Sequence, residues 1–272
     1  MKRLLFLAPL VILFVALTGR AQENINTAAE SAPPVQETTK LSPREAAEMR
    51  ADIAMAKKEF EEAIRGYDGI LKDEPKNAGL LNKVGVAYQE MTDLRRSEHY
   101  YKKAMQADKT FASAVNNLGT VEYERKHFNK AITYYTKAIT LVGTDVPTIY
   151  SNLGYAYFSN KEYPEAMNSF SKALALDPTV FDRKGGNGTI IQDRSAPDPG
   201  LFYFYVAKSF AQAGDAEHAA HYLKLARDDG YKDYMAAQTD PGFARVIKDP
   251  GVQEVLKVIP AYAAEGKKPI SN

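Results

Sequence analysis

From Ser42 to about residue 233, apolar side chains recur three and four positions apart, and short polar stretches with Gly, Pro, Asn or Asp break the runs. That spacing predicts a succession of amphipathic α-helices, each too short to stand alone. The stretch YSNLGYAYFSNKEYPEAMNSFSKALALDP, residues 150–178, reads as two such helices joined by a tight turn. Pro164 suits the first turn of the second helix, and Pro178 stops it.

The pattern repeats. Small residues at Ala51, Gly85, Gly119, Gly154 and Ala207 are spaced by 34, 34, 35 and 53. Twelve positions after each stands another small residue: Ala63, Ser97, Ala131, Ala166 and Ala219. Four further on come Tyr67, Tyr101, Tyr135, Phe170 and Leu223, and three beyond those Ile70, Ala104, Ala138, Ala173 and Ala226. Small side chains let two helices approach, and a large ring beside them fills the remaining space. The ring column is therefore assigned to packing.

On these columns, and on "NLGYAYF", "EYPEA", "KAL" and "LDP", the chain resembles the tetratricopeptide repeat. The resemblance implies an all-α solenoid of about five helix-turn-helix units at 44–77, 78–111, 112–146, 147–180 and 200–233, with a short hairpin-like insertion at 181–198. A lone pair cannot bury its apolar face, whereas stacked pairs build a continuous core and a concave groove.

The flanks read differently. Lys2 and Arg3 precede the apolar run Leu4–Leu17, and Gly19-Arg20-Ala21 offers a small-residue cleavage site, the grammar of a secretory signal peptide over 1–21. The expected location is accordingly outside the cytoplasm, periplasmic or secreted; the lesser alternative is an uncleaved membrane anchor, which would make the chain an assembly factor for an envelope secretion, pilus or cell-wall machine. Residues 22–41 are polar and carry Pro33-Pro34, which predicts a disordered linker. Ser42, Pro43 and Glu45 announce the first helix as cap, first-turn proline and capping-box acid. The insertion holds GGNG between two short apolar runs, as a hairpin would. Asp240-Pro241 and Asp249-Pro250 predict two short helices within 234–259 that cover the end of the stack, turning Phe243, Val246, Ile247, Val252, Val255 and Leu256 inward. A flexible tail, 260–272, would follow.

Composition narrows the function. Net charge is +1, and removal of residues 1–21 leaves 32 basic against 34 acidic side chains, so no basic surface is expected to recruit nucleic acid. The chain has no cysteine, which excludes a thiolate nucleophile and thiolate metal sites. No familiar catalytic motif occurs, so the expectation is a protein that is not an enzyme and needs no cofactor. His218 and His221, three apart on one helix, are the residues a metal-binding or enzymatic alternative would use.

What remains is binding. The resemblance implies that first helices line the groove, at positions three before, one after and four after the small residue. These are Asn82, Val86 and Gln89; Asn116, Thr120 and Tyr123; Ser151, Tyr155 and Phe158; Phe204, Lys208 and Ala211. Two before it stand Lys83, Asn117, Asn152 and Tyr205. Asparagine can both donate to and accept from an extended backbone, and aromatics supply contact area. The expected partner-binding set is Asn82, Asn116, Asn117, Tyr123, Asn152, Tyr155, Phe158, Phe204 and Tyr205, with a protein or peptide ligand. A basic clamp for a C-terminal carboxylate is missing, since Glu48 and Asp52 occupy the positions where cations would stand.

Overall fold

The computed structural model describes residues 41–181 and 198–257. The expected signal peptide and tail lie outside the described residues, as do the linker up to residue 40 and the insertion over 182–197. Everything below belongs to the compact unit that starts at Ser42.

Among the described residues the fold is all-α. The helices are α1 (Pro43–Ala56), α2 (Phe60–Leu71), α3 (Ala78–Glu90), α4 (Leu94–Ala107), α5 (Ala112–Glu124) and α6 (Phe128–Val142). They continue as α7 (Pro147–Ser159), α8 (Tyr163–Leu176), α9 (Pro199–Ala213) and α10 (Ala216–Asp228). Two 3₁₀ segments, Lys232–Gln238 and Pro241–Phe243, lead to α11 (Pro250–Lys257). Odd and even helices pair within a unit, and each even helix also meets the next odd one.

Helix starts follow the local chemistry. Ser42 accepts from the Glu45 amide at 3.2 Å while Glu45 accepts from the Ser42 amide at 2.8 Å, a closed capping box. Asp93, Asp198 and Asp215 cap α4, α9 and α10 through amides three residues on.

The ring column locks each unit. Tyr67, Tyr101, Tyr135 and Phe170 are buried. An ideal Cβ on Gly85 or Gly119 would come within 2.6 Å of the ring of Tyr101 or Tyr135, so only glycine lets that ring seat against the helix backbone. In unit one the roles shift: alanine stands at position 51, and Gly66 provides the room, its ideal Cβ falling 2.7 Å from the Ala51 Cβ. The tyrosines do more than fill space. Their hydroxyls donate to Asp52 at 2.7 Å, Gln89 at 2.8 Å and Thr120 at 3.1 Å, tying the second helix of units one to three back to the first. Burial pushes all three phenols well above their ordinary pKa.

At the C-terminal end Phe243, Val246, Val252, Val255 and Leu256 are buried, and Ile247 packs partly buried against the same core. Phe243 lies 5.5 Å from the ring of Phe204 on α9, and α11 packs on α10. The first of the two expected helices is a single 3₁₀ turn, Pro241–Phe243, with Asp240 accepting from the Gly242 amide at 2.8 Å at its start.

Candidate functional site

The first helices α3, α5 and α7 carry a polar column that runs from unit to unit. Asn117 donates to Asn82 across the α3–α5 junction at 3.0 Å, and Asn116 donates to Asn117 at 3.1 Å. Asn152 on α7 donates to Asn116 at 3.2 Å. Four amides thus bridge three successive units. The side chains of Asn116, Asn117 and Asn152 are buried, where an amide without a partner would be costly.

Beside this ladder runs a second set of contacts. Tyr101 donates to Gln89, and the Gln89 amide donates to Glu124 one unit further on. Tyr123 Oη and Ser159 Oγ share a hydrogen bond at 2.9 Å. Tyr155 stacks on Phe202 with ring centres 4.7 Å apart, and Phe158 meets both Phe202 and Tyr163. Phe204 packs between Tyr231 and Phe243, and Tyr205 stacks on Tyr163 at 5.0 Å.

The expected binding set is corrected accordingly. Asn116, Asn117, Tyr123, Asn152, Tyr155, Phe158 and Phe204 are buried, and Asn82 and Tyr205 are the two of the nine that keep partial exposure. On α5 every residue from Ala114 to Tyr123 is buried. The physical reason is that amides at this spacing satisfy one another and aromatics at this spacing stack on the next unit. The accessible part of the column lies toward its ends: Asn82, Lys83 and Val86 on α3, Tyr205 and Lys208 on α9.

Charge at the α3 end is already matched. Lys83 Nζ sits 2.8 Å from Glu48 and 2.7 Å from Asp52, and Asp52 also accepts from Tyr67. Burial works to lower the Lys83 pKa, but these two carboxylates hold it above its ordinary value. Glu48 and Asp52, read as the residues in place of a clamp, are the counter-ions of the one cation on α3. Lys208 is paired in the same way with Asp240 at 2.7 Å.

Gln89, Glu124 and Ser159 were not in the expected set. Their signal in the sequence is separation: Gln89–Glu124, Asn82–Asn117, Asn116–Asn152 and Tyr123–Ser159 are complementary polar types 35 or 36 residues apart, one residue more than the repeat spacing. The histidines are engaged locally. His218 Nδ1 lies 2.7 Å from Asp215 and its ring stacks on Phe210, while His221 is exposed with its edge toward Tyr222. Among the described residues no three His, Cys, Asp or Glu side chains converge to hold a metal ion.

Comparison with known proteins agrees with this geometry. Residues 78–111, 112–141 and 147–180 match models of the tetratricopeptide repeat. The chain is a tetratricopeptide-repeat protein. A 100-residue stretch is 31% identical to protein ycf37 of Pyropia yezoensis, covering 34% of this chain and 56% of that one. A 134-residue stretch is 29% identical to the mitochondrial import receptor subunit TOM70 of Homo sapiens, covering 48% and 22%. The chain thus spans only part of the length of the curated relatives it matches. Among solved structures, Pseudomonas aeruginosa PilF superimposes with a TM-score of 0.52 at 19% identity over 78% of this chain and 86% of that one, which shows the shared fold. Its described helical pairs stack, unit on unit, into a tetratricopeptide-repeat scaffold.

Proposed function

We propose that this scaffold is exported and holds an extended peptide or a helix of a partner protein against its first helices. The observation that carries the reading is the polar column: it is continuous across units, internally satisfied, and therefore rigid. The buried amides back a fixed surface, and the side chains beside them that keep exposure, Val86 and Tyr205 with Asn82, Lys83 and Lys208, are amphipathic contact groups rather than a catalytic set. The matched charges on Lys83 and Lys208 favour a partner recognised by shape and backbone hydrogen bonds over one recognised by its charge.

Export rests on the charged, apolar and small-residue succession of residues 1–21. Two measurements test the proposal. The protein recovered from its own cells should begin at Gln22; recovery in membranes with Met1 intact would favour an anchored assembly factor. Immobilised chain should retain a partner from solubilised envelope proteins, and a Val86→Ala, Tyr205→Ala double variant should retain at least about tenfold less. Undiminished retention by the variant would remove the first-helix face from the proposal. Asn152 and Tyr155 are unsuitable for this test because both are buried, and their loss would disturb packing before binding.

A further inference from the structure

On the first helices of units two to five, the positions five before and two after the small residue are closed. They hold Leu80 and Ala87, Ala114 and Val121, Ile149 and Ala156, and Phe202 and Ser209, all buried. In unit two these residues join the core of unit one. The same positions on α1 are Ala46 and Ile53, and no described unit precedes them. Ile53 is 48% exposed, and so is Met49 between the two. The opposite end of the stack lies under the 3₁₀ segments and α11. Among the described residues one end is covered and the other is not.

The open face has a pattern of its own. Ala46, Met49, Ile53 and Ala56 follow alternating steps of three and four, the seam of a heptad. Acidic Glu45 and Asp52 flank it on one side, basic Arg50 and Lys57 on the other, and all four are exposed. We propose that this face is an interface with a second copy of the chain, in which α1 lies parallel to α1 about a twofold axis.

Charge selects this arrangement. In a parallel pair, each residue on the first flank meets the residue five positions on in the other helix. Glu45 then faces Arg50 of the partner subunit, and Asp52 faces Lys57 of the partner subunit. An antiparallel pair would set the basic flanks together and the acidic flanks together. Both acids already serve within the chain, Glu45 in the capping box and Asp52 on Lys83 and Tyr67, and each keeps lone pairs for the cation opposite. A head-to-tail contact would need the covered end. Residues 22–40 offer little competition for the face, since Ile25 and Val35 are their only large aliphatic side chains.

Light-scattering mass of the full chain, followed from about 1 µM to about 1 mM, should rise toward that of a dimer. Ile53→Glu should weaken association at least tenfold, and Arg50→Glu with Lys57→Glu should do the same. Mixing that charge-reversed variant with a Glu45→Lys, Asp52→Lys variant should restore a mixed dimer. The chain has no native cysteine, so Met49→Cys introduces a single thiol. Parallel pairing places two copies of position 49 opposite each other, and oxidation should crosslink them. Unchanged far-ultraviolet dichroism would show that each variant folds. A monomer mass throughout, a dimer indifferent to Ile53→Glu, or a dimer that Met49→Cys does not crosslink would each overturn the proposal.

Discussion

At the residue scale, the glycines separate into two kinds that the sequence does not distinguish. Gly119 faces Tyr135 so closely that any Cβ must displace the ring, whereas a Cβ on Gly69, near the C-terminal end of α2, would meet no atom within 4 Å. Gly119→Ala is therefore expected to destabilise by about 1–3 kcal/mol through overpacking. Gly69→Ala should stabilise by about 0.5–1 kcal/mol, because alanine loses less backbone freedom in a helix interior. Urea midpoints at constant slope would check both, and a loss at position 69 would contradict the argument. The ring column was legible because its partner lies sixteen residues away within the same unit. The asparagine column was only half legible. A polar side chain on a first helix looks the same in sequence whether it faces water or another amide. What turns Asn117 inward is Asn82, a full repeat away.

At the element scale, the turn inside each unit is one motif used five times. Seven positions after each small residue stand Lys58, Thr92, Lys126, Lys161 and Gly214, all with positive φ, from 61° to 88°. In each turn the amide of that residue donates to the carbonyl three back and the next amide to the carbonyl five back, as Thr92 and Asp93 do to Gln89 and Tyr88. Only the fifth unit places glycine where the backbone favours it. The residue types of the other four conceal the conformation, so the shared turn geometry was not readable from composition. Thr92 is the most strained, being β-branched in the left-handed region. Thr92→Gly should stabilise by up to about 1 kcal/mol and Gly214→Lys should cost about the same, measured as opposite shifts in denaturation midpoint. Equal and same-signed shifts would show that local strain does not govern these turns.

At the scale of the whole stack, stability is a chain of neighbour contacts, each unit leaning on the next. The C-terminal cover is the last link. Phe243 is fully buried against α9, and Phe243→Ala should cost about 3–5 kcal/mol. The loss should be uneven: hydrogen exchange should quicken first in α9 and α10, on which the cover packs, and least in α3 and α4. Uniform quickening would mean that the units unfold as one body. The cover was legible from the two Asp-Pro pairs and the apolar residues after them. That the first pair closes only a 3₁₀ turn was not, because cap and proline specify where a turn begins and not how far it runs.

The covered end also sets a limit on growth. Repeats that expose complementary surfaces at both ends can add copies without stopping, and the product is a fibre of indefinite length. Here α11 and the segments before it withdraw one of those surfaces from every copy. The pairing proposed through α1 would consume the remaining end of both copies, so it would raise the number of pairs and not the length of a filament.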